Sequence, residues 1–374
     1  MYRDSSLDLV ATDIRRQDKL IADSLAWFRE VTLRAAEKLG PRPSRIYLVG
    51  CGDSFDAHTA VRFLWEKLVG VPVEAVQALT FTRYLISAAP RDALVIALSQ
   101  SGMVSRLIEA ARLANANGQR VVVITGNPKS VLAQEPAAAQ IITPFPKVGP
   151  VPGTSSYTFN MTLLYELGAA LGQMWGDSAA AVAEVRDQLT RLPALIRESL
   201  DPVWEVAAAH ADGTCDRTAV HLFLGTGPNL ATARFAARKF FEIPQLAAMA
   251  QETEEYAHDQ ISMVGSNTPS LVFAPSGAAS SRNSELLASL IELRSPVAVV
   301  TERGADLGLE RQPRWRYEVE PGLDELLSPL LHALAPQVYT YELAGLVGGS
   351  FYGYGDPVLR AIGDRLIYES EVIL

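Results

Sequence analysis

Lys239, Glu242 and His258 are the residues of this chain best suited, by type and spacing, to move protons. The lysine stands one helical turn before the glutamate, and the histidine follows sixteen positions after it. Removing a proton next to a carbonyl needs a base whose pKa is brought toward neutrality, and partial burial raises that of a carboxylate. Phe240, Phe241 and Ile243 around Glu242 offer such an apolar setting. A histidine titrates near neutrality and is suited to protonate a ring oxygen or a departing amine. The plainer alternatives are a surface Lys–Glu pair on a helix and a solvent-facing histidine, the commoner states of these residues.

A second group has the chemistry of an anion cradle. Ser99-Gln100-Ser101-Gly102, with Ser105 one turn on, stands where the apolar run LVIAL from Leu94 gives way to a helical pattern with Val104, Leu107, Ile108 and Ala111 on one face. Backbone N–H groups at the positive end of a helix favour an anion, and hydroxyls add donors without charge. Ser54, after the Gly50-Cys51-Gly52 turn, occupies the corresponding corner of the first strand. Most serines at helix starts are simply caps. Two such corners in one half, both at the carboxyl ends of strands, favour binding.

These residues are carried by a long-period repeat. RIYLVGCGDSFDAHTAVRFLWEKL from Arg45 and VHLFLGTGPNLATARFAARKFFEI from Val220 have the same parts in the same order: apolar strand, glycine turn, helix. Each is followed by a second strand, a Ser/Gly turn and a helix, starting at Ala93 and Ser270, and then by RVVVIT or PVAVVT. Apolar β-rich runs alternating with amphipathic helices predict a parallel sheet covered on both faces. The expected division is a helical segment 1–43, a first α/β half 44–200, a second 201–352 and a C-terminal tail 353–374 made of a glycine-rich turn, a short helix and an end segment. Ala179 to Ala209 is expected to give connecting helices interrupted at Pro193 and Pro202.

A length of 374 residues suffices for two cores, and 48% hydrophobic with 20% charged residues marks a globular chain. A formal charge of −9 argues against a nucleic-acid partner. Cys51 and Cys215 do not form a disulfide framework, and the N-terminus lacks a long apolar core, so a cytoplasmic location is expected. Neither glycine turn completes G-x-G-x-x-G, because Phe55 and Leu230 stand where the third glycine belongs. No Walker lysine is present, and the five histidines never approach H-E-x-x-H spacing. No cofactor, metal or membrane is expected.

The motifs CGDS, SQSG, TSSYTF and GTGPNLATARFAARKFFEI, closed by ETEEYAHDQ, resemble the tandem sugar isomerase (SIS) domain family over nearly the whole chain from about Arg45. The resemblance implies two three-layer α/β/α sandwich halves, each with a mainly parallel sheet, related by duplication. It implies a sugar-phosphate cradle at Ser54, Ser99, Gln100 and Ser101, with Cys51, Gly52 and Ser105 beside it, and a loop at Thr154 and Ser155 that lines the sugar. By the same resemblance Glu242 moves a proton between C1 and C2, and Lys239 matches the lysine one turn before it. His258 matches a histidine that assists ring opening and reaches into a neighbouring subunit's site. The implied partners are an anionic sugar and a second copy, in a homodimer with shared active sites.

Departures from the pattern narrow the reading. Glucosamine-6-phosphate synthase, whose isomerase part shows the pattern, also carries a glutaminase domain; this chain begins Met1-Tyr2 and enters its first half almost at once, so none is expected. The synthase forms a Schiff base with a tail lysine; here the tail reads RLIYESEVIL, with Tyr368 and Glu369 near the matching place and no lysine beyond Lys239. Asp53 replaces a small hydroxyl residue of the cradle. A glutamate and a histidine without the tail lysine resemble the fructosamine-phosphate deglycases, with amino-sugar-phosphate deaminase/isomerases close by. The expectation is a phosphosugar isomerase-type enzyme of deglycase or deaminase kind. The alternatives are a plain aldose–ketose isomerase of a phosphate- or sulfonate-bearing sugar, and a noncatalytic sugar-phosphate sensor. Against the sensor stand the presence of Glu242 and His258 and the lack of a helix-turn-helix extension.

Overall fold

The computed structural model describes residues 5–348, 351 and 356–373; the glycine-rich turn expected at 353–355 lies outside the described residues. The chain forms two compact units, one of residues 1–21, 147–158 and 191–356, the other of 22–146, 159–190 and 357–374.

The second of these units holds β1 (Ile46–Gly50), β2 (Val73–Gln77), β3 (Leu94–Ser99), β4 (Arg120–Thr125) and β5 (Ala139–Ile142), all parallel, in the order β2-β1-β3-β4-β5. The other holds β6 (His221–Gly225), β7 (Ala248–Gln251), β8 (Ser270–Phe273), β9 (Val297–Glu302) and β10 (Trp315–Val319), again parallel, in the order β7-β6-β8-β9-β10. Counted in order of appearance, the two strand orders are identical. The duplicated α/β/α sandwich expected from the sequence is the fold.

Parallel neighbours must be joined by crossovers that cover the sheet faces, so central strands are buried on both sides. Every residue of β1, β3, β6 and β8 is buried, which is why these segments read as continuous apolar runs. The edge strand β10 alternates, with Trp315, Tyr317 and Val319 buried. The recurring glycine turns follow from a close approach of strand and helix. A Cβ on Gly50 would stand 2.9 Å from the Phe55 nitrogen, and one on Gly225 would stand 2.3 Å from the Asn229 carbonyl oxygen.

One expectation is corrected. Ala179–Asp212 is a single helix that runs through both Pro193 and Pro202. Each proline removes a backbone donor and costs about 3 kcal/mol in a helix interior. A buried stripe including Val185, Leu189, Leu192, Ile196, Leu200 and Val203 offsets this, since burying such a side chain contributes about 1.5–3 kcal/mol.

Within the unit of β6–β10, Gln17 is fully buried and joins three distant stretches. Its amide donates to the Gln337 side-chain oxygen at 2.7 Å and accepts from the Thr158 hydroxyl at 2.6 Å. Among the described residues, no helix is long and apolar enough to cross a membrane.

Candidate active site

The unit of β1–β5 brings Cys51, Gly52, Ser54, Ser99, Gln100, Ser101 and Ser105 to the carboxyl ends of two adjacent strands, β1 and β3. Gly52, with φ +58°, lets the chain turn from β1 into the helix Asp53–Val69, whose first turn holds Ser54, half-buried. The Asp53 and Asp56 carboxylates lie in that same positive first turn. After β3 the chain turns at Gly102, with φ +66°, and enters the helix Ser105–Ala116. A Cβ at Gly102 would stand 2.1 Å from the Ser130 hydroxyl oxygen and 2.7 Å from that of Thr125, so the turn closes only on glycine.

The serine hydroxyls hold the corner's backbone. The Gly102 N–H donates to Ser99 Oγ at 3.1 Å, and the Met103 N–H to Ser101 Oγ at 3.3 Å. A hydroxyl that accepts from the backbone keeps its own hydrogen to donate. Capping and anion binding are therefore compatible at this corner. Gln100 accepts from the Asn160 amide, Nδ2 to Oε1, at 3.1 Å. Arg106, next to Ser105, donates to the Glu371 carbonyl and so ties the tail, including the exposed helix Pro357–Tyr368, to this helix.

Lys239, Glu242, His258, Thr154 and Ser155 belong to the other unit. Lys239 and Glu242 close the helix Asn229–Glu242. Lys239 is fully buried, 0% exposed, and its ammonium donates to Glu242 Oε2 while lying 5.0 Å from the centroid of the Phe235 ring. The Glu242 side chain is 23% exposed, so one end of this ion pair meets solvent. Phe240 and Ile243 are fully buried beside it, whereas Phe241 turns outward, 53% exposed. His258 ends the short helix Thr253–His258; its side chain is 70% exposed and its Nε2 lies 3.5 Å from Glu254 Oε1.

Thr154 and Ser155 are fully buried and engaged by Asp13. The Thr154 hydroxyl, the Ser155 hydroxyl at 2.8 Å and the Ser155 N–H at 2.9 Å all donate to the Asp13 carboxylate, which also pairs with Arg16 at 2.6 Å. The Asp13 carboxylate thereby satisfies the first N–H of the helix Ser155–Trp175, and both hydroxyls are spent on Asp13. Asp13 and Asn160 were not singled out from the sequence. Asn160 had a signal, as an amide between the apolar residues Phe159 and Met161 of a helical run.

Two parallel five-stranded halves of identical order, each with a glycine turn after its first strand, define the class of protein. The SIS domain model matches residues 42–170 and 221–306, and the chain belongs to the SIS domain family. A curated relative, a glutamine–fructose-6-phosphate aminotransferase (isomerizing) of Methanothermobacter thermautotrophicus, is 26% identical over 340 residues, 89% of this chain and 53% of its own length. The chain spans about half the length of the curated relatives it matches. The solved C-terminal domain of glucosamine-fructose-6-phosphate aminotransferase from Francisella tularensis superposes with TM-score 0.83 at 19% identity, over 92% of this chain and 97% of that one. A glucosamine-6-phosphate deaminase from Thermotoga maritima superposes with TM-score 0.70 at 20% identity, over 91% of this chain and 96% of that one.

Proposed function

We propose that the chain is a phosphosugar isomerase-type enzyme, a fructosamine-6-phosphate deglycase or amino-sugar-phosphate deaminase/isomerase, working as a homodimer with shared active sites. The observation that carries this reading is the ion pair of a fully buried Lys239 with the partly exposed Glu242. A lysine held in this way is engaged by a carboxylate rather than presented as an amine nucleophile. Glu242 then serves as the base and Lys239 as its electrostatic partner. The names of the relatives, an aminotransferase and a deaminase of hexose phosphates, support an amino-sugar substrate.

In a deglycase the substrate brings its own amine on C1 next to the C2 carbonyl. Glu242 removes a C1 proton to give the enaminol and returns a proton at C2, leaving a C1 imine. Water adds to C1 and the amine departs with a proton from His258, so substrate plus water gives a hexose 6-phosphate plus amine. Ser99, Gln100, Ser101 and Ser54 hold the phosphate. The exposure of His258 within its own chain supports its service to a neighbouring subunit, with the two-fold contact near residues 250 to 262.

Turnover of a panel of fructosamine 6-phosphates, glucosamine 6-phosphate and plain ketose phosphates, scored for released amine or ammonia, tests the reading. Isomerisation without amine release would favour the plain aldose–ketose isomerase, and binding without turnover the sensor. Glu242→Gln should lower turnover roughly 10²–10⁴-fold with binding little changed. Mixing inactive Glu242→Gln and His258→Ala subunits should restore part of the activity; no restoration would place His258 in its own chain's chemistry.

A further inference from the structure

We infer that Asn160 is a positioning residue that fixes the Gln100 amide so that its NH2 end, not its oxygen, serves the substrate's anionic group. The inference rests on the reading of the Ser99–Gly102 corner as the anion site. A primary amide has one accepting and one donating end, and only the donating end attracts an anion. Gln100 Oε1 is committed to Asn160 Nδ2 at 3.1 Å, while Nε2 has no hydrogen-bond partner among the described residues. The backbone fixes the other side: the Gly126 N–H donates to the Gln100 carbonyl at 3.1 Å, and a Cβ at position 126 would stand 2.0 Å from Gln100 Nε2. Glycine at 126 therefore keeps space for this amide.

Asn160 itself is 7% exposed, and its Oδ1 is buried without a hydrogen bond. A buried acceptor left unpaired is expensive, and a leucine in this apolar helix would avoid that cost. An asparagine that accepts the cost in order to donate one hydrogen bond to Gln100 is explained by the orientation it enforces.

Asn160→Asp is the polarity-reversing test. An aspartate only accepts, so it draws Gln100 Nε2 inward and turns Oε1 toward the anion. Binding of fructose 6-phosphate to the full chain is measured by calorimetry for the wild type, Asn160→Asp, Gln100→Met and the double variant, each with its melting temperature. Gln100→Met and Asn160→Asp should each weaken binding on the order of tenfold or more. In the Gln100→Met background Asn160→Asp should add nothing, because its effect runs through Gln100. In turnover Asn160→Asp should raise KM and spare kcat, since the anion is held alike in ground and transition states. An undiminished effect of Asn160→Asp in the Gln100→Met background, or no effect of it alone, overturns the inference. Should Asn160→Asp fail to fold, Gly126→Ala expels the same amide from its other side, and unaltered affinity there is equally fatal. A wild type that binds no phosphosugar removes the functional reading itself, and this inference with it.

Discussion

The corners after β3 and β8 occupy the same place in their sheets, yet the second is filled by the chain's own carboxylates. Leu98 pairs with Ile124 and Phe273 with Val300, so stepping forward from these equivalent pairs aligns Ser99, Gln100, Ser101 and Gly102 with Ala274, Pro275, Ser276 and Gly277. On the neighbouring strand Thr125 aligns with Thr301 and Gly126 with Glu302. Where Gly126 leaves room for the Gln100 amide, Glu302 puts a carboxylate that accepts from the Ser276 N–H at 2.9 Å and its hydroxyl at 3.0 Å. Glu325 accepts from the Ala278 N–H at 2.9 Å, and Ser280 Oγ from the Gly277 N–H at 2.7 Å. Both corners keep donors suited to an anion. In the second half the anion is built in, so duplication of the fold does not duplicate this open corner.

The harshest way to break the contrast is to give the first corner the second's residue. Gly126→Glu brings a carboxylate into the Ser99–Gly102 corner and displaces Gln100, and phosphosugar affinity should fall on the order of 100-fold or more, with two charge-assisted hydrogen bonds lost at about 1.5–3 kcal/mol each. Calorimetry showing unchanged affinity would mean that the anion binds elsewhere. A milder change, Ser99→Ala with Ser101→Ala, removes hydroxyl donors but adds no repulsion. It should leave the chain folded and cost less than Gly126→Glu; an equal or greater cost would show that the hydroxyls, not the lack of a carboxylate, dominate the corner.

Acid should separate the two halves by stability. Burial holds the imidazole of His58 at about 3 in the first half; in the second it holds those of His221 and His332 at about 4 against the opposing pull of Asp216 and Glu302, and lowers that of His210 as well. These groups bind protons in the unfolded state at about 6.5 but resist them when folded, so the stability they permit is full above that pH and is lost as pH falls from 6.5 toward 4. Each buried histidine then costs roughly 1.4 kcal/mol per pH unit inside that window. The unit of β6–β10, with three such histidines, should lose amide-exchange protection before that of β1–β5 as pH drops from 7 to 5. Simultaneous loss would show that the halves unfold as one.

The smallest expected effect is a gain. In the Gly126→Glu background, Glu302→Gly with Glu325→Gln should open the second corner, so that sulfate raises the melting temperature again through weak binding to the folded state. No sulfate dependence in a folded variant would show that the second corner's donors are not arranged for an oxyanion.

The central strands and the duplication were legible because buried parallel strands leave unbroken apolar runs and close helix packing leaves glycines, both visible in Arg45–Leu68 and Val220–Ile243, whereas the order of the strands within each sheet came only from the structure. The Lys239–Glu242 pairing was legible for the same local reason, one helical turn. What escaped depends on residues distant in sequence or on burial outweighing local rules. Asp13 meets Ser155 across 142 positions and Asn160 meets Gln100 across 60, spacings that no local pattern encodes. The helix through Pro193 and Pro202 continues because its buried stripe outweighs two missing donors. Phe241 reads as a wall for Glu242 but points to solvent.

The buried amide of Gln17 sets an order of events during synthesis. Its acceptor, Gln337, is 320 positions further along. At ribosomal speeds of about 5–20 residues per second, the first helices wait roughly 15 to 60 s before that partner leaves the tunnel. The sheet of β1–β5 has all its strands once residue 142 has emerged, so it can assemble while the Gln17 segment is still without its final seat. A nascent chain stalled before residue 337 should therefore present an ordered first sheet and a protease-sensitive N-terminal helix, a signature readable by limited proteolysis on arrested ribosomes.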